Sequence, residues 1–163
     1  MKNFNSFHGM VTNISDFHSA TNNEDTGCYK LMSVTNSFGS LVNFVAAPDT
    51  YFIDHVTIHP YDMITGFYDA NAPTILIFPP QYKALVVSMD APGENVKVDY
   101  FNSELISSDN TLKLNLSLST EIILENDQLF TGNLRNRYLI VIYGPSTKSI
   151  PAQTIPYKII VMC

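Results

Sequence analysis

Four histidines, two cysteines and a set of evenly spaced tyrosines are the residues of this chain whose types could carry chemistry. His55 and His59 stand in Asp54-His55-Val56-Thr57-Ile58-His59-Pro60-Tyr61-Asp62, the one close histidine pair, with Asp54 and Asp62 as further donors. On a β-strand the two rings share a face but lie ~13 Å apart at roughly 3.3 Å per residue, too far to ligate one ion. A helical turn brings them together, yet Pro60 lacks a backbone donor and biases His59 toward extended geometry. The expectation is therefore loop or half-buried histidines and no metal. His8 and His18 stand alone.

Nucleophilic catalysis needs a Ser or Cys beside a positioned base, commonly on a sharp turn. Phe38-Gly39-Ser40 comes nearest, and no nucleophile elbow surrounds it. Glu24-Asp25, Asp54 and Asp62 sit in polar stretches where solvation keeps carboxylates ordinary. The seven glycines are scattered singly, so no loop cradles a phosphate. These readings predict no enzyme, no catalytic residue and no cofactor. Cys28 and Cys163 match neither a zinc spacing nor a redox pair. Three states stay open for them: two free thiols with one buried, a Cys28–Cys163 bridge, or a link between chains through the terminal Cys163.

The tyrosines bring in the organisation of the chain. Tyr68 and Tyr82 are 14 residues apart (82 − 68), and so are Tyr143 and Tyr157 (157 − 143). In each half an apolar run ends in Tyr, a Pro-bearing loop follows, and Tyr-Lys opens a last apolar run. Upstream, Leu41 to Thr50 aligns with Thr111 to Thr120, and Tyr51-Phe52-Ile53 with Glu121-Ile122-Ile123. The second copy is five residues longer between the Thr and the first Tyr, a difference assigned to Glu125 to Asn136. An internal repeat predicts two small units, 1–91 and 92–163, divided at Asp90-Ala91-Pro92-Gly93-Glu94-Asn95. Tyr68, Tyr82, Tyr143 and Tyr157 could form an aromatic binding surface for sugars or bases. Retention in both copies favours a packing role instead.

The elements that must hold these residues are strands. Short apolar runs recur every eight to twelve residues between turn signals, and no long segment has a helical period with caps. Phe7 to Ile14, Cys28 to Thr35, Ser40 to Ala46, Met63 to Tyr68 and Tyr82 to Met89 are strand candidates of the first half. Tyr51 to Ile58 fits either a strand or a helical turn. Thr74 to Phe78 is a short apolar run stopped by Pro79-Pro80. In the second half, Leu112, Leu114, Leu116 and Leu118 alternate with polar residues and predict a strand with one buried face. The fold class is all-β, as two tandem small Greek-key barrels of the OB type, with a β-sandwich formed by both halves as the alternative.

Hydrophobic residues at 45% suffice for packed cores, whereas charged residues at 15% fall below the roughly 25% usual for soluble domains. A surface rich in Asn, Ser and Thr repels its copies weakly, which favours association. The net charge is −6 and no basic stripe occurs, so nucleic acid is not an expected partner. No run reaches the eighteen or so apolar residues of a spanning helix, and none near Met1 resembles a secretory signal. Cytoplasmic synthesis with no membrane partner is expected, and a cell or spore surface stays open as a destination.

The stretches Leu41-Val42-Asn43-Phe44-Val45, Asp49-Thr50-Tyr51-Phe52-Ile53-Asp54-His55, Thr65-Gly66-Phe67-Tyr68-Asp69-Ala70 and Pro79-Pro80-Gln81-Tyr82 resemble a family of short uncharacterised proteins from spore-forming Firmicutes. Asn95-Val96-Lys97-Val98-Asp99-Tyr100-Phe101 and Ser149-Ile150-Pro151-Ala152-Gln153-Thr154 resemble it too, so the likeness spans nearly the whole chain. The resemblance implies a bacterial source and transfers no activity or ligand residue. Function is then expected to be structural, a self-assembling subunit of a surface layer, coat or fibre whose partner is itself or another protein. The alternative is a soluble module that binds carbohydrate, peptide or protein on a barrel face or in a cleft between units.

Overall fold

A computed structural model describes residues 1–17 and 27–163; His18 and positions 19–26 of the expected polar loop lie outside the described residues. The strands are β1 (Phe4–Asp16), β2 (Lys30–Thr35), β3 (Leu41–Phe52), β4 (Met63–Asp69), β5 (Gln81–Met89), β6 (Asn95–Phe101), β7 (Leu112–Leu114), β8 (Glu121–Leu124), β9 (Arg137–Tyr143), β10 (Ala152–Thr154) and β11 (Lys158–Val161). Among the described residues the sole helical element is a 3-10 turn at Ile53–His55, so the fold is all-β. The chain forms two compact units, Met1–Asp90 and Ala91–Cys163.

The first unit is a closed barrel of order β1-β2-β3-β5-β4. β1 closes it by being long: Phe4 to Met10 pairs with β4, and Met10 to Asp16 pairs with β2. The strand must bend between its two partners. A Cβ on Gly9 would lie 2.5 Å from the Thr35 carbonyl oxygen, so this crossing admits only glycine. Period-2 alternation sends Val11, Met32, Val34, Val42, Phe44 and Ile64 inward, Ala84 and Val87 join them from the two sides of the shift in β3–β5 register, and all are buried. Full burial of each larger side chain is worth ~1.5–3 kcal/mol, and together they hold the barrel shut. Closure leaves β1 paired on both sides, so it offers no open sheet edge.

β3 runs parallel to β5, and their register shifts between Ala46 and Tyr51. The Thr50 hydroxyl bridges the shift: it accepts from the Ala47 amide at 2.9 Å and donates to the Ala84 carbonyl at 2.7 Å. Past Phe52 the backbone turns sharply, with Asp54 and His55 at φ 61° and 52°. The segment from Tyr51 is thus strand first and a single 3-10 turn after.

The second unit holds a four-stranded sheet of order β6-β9-β11-β8 and a parallel pair, β10-β7. Its pairings have counterparts in the first unit. Phe44 faces Tyr82 and Leu114 faces Thr154, while Tyr51 faces Val86 and Glu121 faces Lys158. Positions of β3 therefore advance by 70 (114 − 44, 121 − 51) and those of β5 by 72 (154 − 82, 158 − 86). Thr120 repeats the bridge of Thr50, donating to the Pro156 carbonyl at 2.7 Å. Phe101, Leu112, Leu114, Leu139, Val141, Ile159 and Val161 form this unit's own core.

Three expectations change here. Tyr157 is not the counterpart of Tyr82. Register assigns that place to Thr154 and sets Tyr157 level with Leu85 (157 − 72), because the loop before β10 is three residues shorter and Pro156 interrupts the strand. The alternating leucines do not make one strand either. Leu112 and Leu114 are buried, but Leu116 and Leu118 are exposed in a turn closed by the Thr120 amide on the Ser117 carbonyl. Finally, the sheets of the second unit do not close into a barrel, since the place of β2 is taken by the isolated bridges Phe101–Ser107 and Ile106–Lys113. The long connection assigned to Glu125 to Asn136 folds back on β8 through the Leu124 amide and Gln128 carbonyl, with the Arg137 guanidinium 4.9 Å over Phe130.

Candidate functional site

Tyr68 ends β4 and Tyr82 begins β5, so the Pro-bearing loop between these strands brings the two rings to one end of the barrel. They stack at 3.9 Å between centroids with planes 8° apart. Phe44 lies beneath, 6.1 Å from Tyr68 and 6.5 Å from Tyr82, and it reaches them by crossing β4 at Gly66. A Cβ at Gly66 would sit 2.5 Å from the Phe44 ring. The tyrosines thus cap the core rather than project from it. Burial raises the Tyr68 pKa, and the neighbouring Tyr82, which shares a hydrogen bond with it, raises it further; a bond with Asn5 opposes them. The two phenols pack against the core and hydrogen-bond one another.

Beside this cap lies a cleft of about 590 Å³, lined by Tyr29, Val45, Ala47, Tyr68, Ile75, Tyr82 and Leu85, with Lys2, Asp69 and Lys83 among its polar members. Its charges are matched within the chain. Lys83 Nζ bonds Asp49 at 3.0 Å. For Asp69, burial raises the pKa, but the Asn3 and Asn71 amides and the charges of Lys2 and the amino terminus lower it below the usual carboxylate value. The Asn71 side chain also donates to the Met1 carbonyl, tying the N-terminal residues to this wall. Most of what remains open is apolar.

The loop at the cleft rim carries the feature that sequence reasoning missed. Ile75, Leu76, Ile77 and Phe78 are all exposed, Leu76 fully and Phe78 at 89%. Four consecutive large apolar side chains in water are unusual on a small domain. The signal was present in the sequence: the run shows neither strand nor helix alternation and is bracketed by Pro73 and Pro79-Pro80. That pattern marks an apolar loop, whereas buried strands pair and alternate.

The remaining candidates are dispersed. Tyr143 is half-buried; burial raises its pKa and the Asp109 charge adds to this. Tyr157 is about half exposed, with its hydroxyl against Gly144. No stacked pair joins Tyr143 to Tyr157, because Tyr157 occupies a different register position from Tyr82. His55 packs edge-on to Tyr51 at 5.6 Å, whereas the His59 amide donates to Asp62 Oδ2 at 2.8 Å. His8 Nε2 meets the Asp90 carboxylate at 2.9 Å, joining β1 to the end of the first unit. Among the described residues no group of three or more His, Cys, Asp or Glu is arranged to hold an ion. Cys28 and Cys163 are both exposed thiols, so neither is the buried one expected. No helix among the described residues is long and apolar enough to cross a membrane.

Neither family models, nor curated proteins, nor solved structures gave a match to this chain. Its function therefore has to be argued from the cleft and its loop.

Proposed function

We propose that this is a non-enzymatic protein that works by association, built on two related OB-type units of which the first closes, with the cleft and loop of that first unit as a protein-docking surface. The observation that carries this reading is the adjacency of a mainly apolar cleft, whose charged members are matched within the chain, to the exposed run Ile75 to Phe78. A docked protein side chain removes both apolar surfaces from water at about 25 cal/mol per Å². Carbohydrate fits less well. Sugars stack on open aromatic faces, and here Tyr68 and Tyr82 each turn a face to the other. Phosphate-bearing ligands fit less well again, since Lys83 is already paired with Asp49. The resemblance to proteins of spore-forming Firmicutes supplies no activity that competes with this reading.

Selection of a displayed random-peptide library on the protein, with Tyr82→Ala as the counter-selecting variant, tests the surface. The expected result is a set of apolar peptides that bind the wild type and lose binding to the variant. Enrichment of nothing, or of peptides indifferent to the substitution, would remove the surface from the account.

Assembly into a layer, coat or fibre remains the second reading. It is favoured by the apolar residues that the second unit also exposes, Ile150 at 90% and Ile155 at 57%, and by the exposed thiol of Cys163. An extended assembly needs two different contact surfaces per chain, and these residues supply a second.

A further inference from the structure

We infer that the occupant of the first unit's cleft is a second copy of this chain, bound about a two-fold axis so that the Ile75–Phe78 loop of each copy enters the cleft of the other. The inference rests on the docking reading above and names its partner. A two-fold contact requires that the donating and receiving elements lie on one surface, because the patch must be complementary to itself. Here they are contiguous: Ile75 is part of the cleft wall, and Leu76, Ile77 and Phe78 continue from it into solvent.

Charge permits the same pairing. Each chain carries a net −6, which repels copies at long range, yet no charged residue occurs from Ala70 through Tyr82. The rim cation Lys83 is neutralised by its own Asp49. Two copies can therefore meet here without bringing unpaired charge into contact, unlike over most of an acidic surface. Size agrees as well. A cleft of about 590 Å³ lies within the roughly 300–1,000 Å³ that encloses a compact apolar group, room for the side chains of Leu76 and Phe78. Large apolar side chains present on the order of 150–200 Å² each when exposed, so the loop offers roughly 500 Å². A stable interface takes about 800 Å² per partner, and the loop with the walls of the cleft stays below that, at the size of a weak, reversible contact.

Sedimentation velocity of the full chain over a concentration series, with reductant present to exclude links through Cys28 and Cys163, reads the outcome. The expected result is a monomer–dimer equilibrium that stops at the dimer. Leu76→Asp, at a fully exposed position that leaves folding unchanged, and Tyr82→Ala should each weaken it at least ~100-fold. Mixing the two variants should restore a weak heterodimer, because the loop of the Tyr82→Ala chain still finds an intact cleft on the Leu76→Asp chain. A wild type that stays monomeric at every concentration overturns the inference, and so do polymers that grow with concentration, since a two-fold contact closes. A monomer that floats with phosphatidylcholine–phosphatidylglycerol vesicles and loses this on Leu76→Asp assigns the loop to lipid and overturns it too. If the chain is monomeric while apolar peptides still select for Tyr82, the docking surface stands and only its partner is wrong.

Discussion

Replacing Thr50 by Val tests whether the bridge across the β3–β5 register shift holds the barrel together. Val keeps the shape and removes the hydroxyl, which loses two bonds at once, one from the Ala47 amide and one to the Ala84 carbonyl. Both flanking residues are buried, so water cannot replace the lost partner. An unsatisfied buried group costs about 1–3 kcal/mol, which gives about 2–6 kcal/mol for the two partners left by Thr50→Val. Thr120→Val in the second unit removes the bond to Pro156 and should cost about 1–2 kcal/mol. Thr50→Ser, which retains the hydroxyl, is the control and should lie closer to wild type than either. Urea titration followed by far-ultraviolet circular dichroism gives the stabilities, and hydrogen exchange resolved by peptide assigns the loss to one unit. For a unit of this size 1 kcal/mol corresponds to roughly 4–8 °C in Tm, so Thr50→Val should lower the midpoint of the first unit by ~10 °C or more. A Thr50→Val protein within about 0.5 kcal/mol of wild type would show that the shift is held by side-chain packing alone. A larger loss for Thr120→Val than for Thr50→Val would refute the count of bonds on which the ordering depends.

Two further outcomes follow from the second unit. Leu114→Ala should cost about 2–5 kcal/mol because Leu114 is buried, while Leu118→Ala, fully exposed, should change the urea midpoint by no more than about 0.5 kcal/mol; equal losses would restore the continuous strand that the alternation implies. Burial raises the Asp109 pKa, but the Lys97 ammonium and the hydroxyls of Ser107 and Thr111 more than reverse this and leave it at about 2 against an ordinary 3.8. Its contribution is therefore present above pH 3.8 and is lost as pH falls through about 2. Because the carboxylate is 45% exposed, solvent screening holds that contribution to about 1 kcal/mol. Asp109→Asn should be less stable than wild type at pH 6 and converge with it near pH 2 in urea titrations, and a constant difference across that range would count against the ion pair.

How far the sequence could be read depended on which interactions a residue makes locally. Strand runs such as Met63 to Asp69 and Gln81 to Met89 announce themselves, because a half-buried strand must alternate or stay apolar whatever it pairs with. The leucines from 112 to 118 carry the same alternation, yet their strand ends at Leu114. What ends it is a register shift between non-adjacent strands, marked only by Thr120, and one threonine among many carries no distinguishing local signal. The equal Tyr spacings misled for a related reason: counting along the chain cannot detect that one loop is three residues shorter while a proline interrupts the following strand. The candidate site was legible in part. Tyr68 and Tyr82 could be singled out by type, but their stacking on Phe44 depends on Gly66 clearing a path across β4, a contact between strands that follow one another in the chain yet do not pair in the sheet.

The sequence by itself determined the all-β class and the polar, weakly charged composition. These follow from composition and short-range periodicity, which act through backbone geometry and solvation. Tertiary structure decided that the first unit closes, which leaves β1 paired on both sides, and that Thr154 rather than Tyr157 takes the place of Tyr82. It also decided that the run from Ile75 to Phe78 faces water at the rim of an apolar cleft. An apolar run is the same string of letters whether it is buried or exposed, and only the long-range pairing of β3, β4 and β5 leaves this one without a cover.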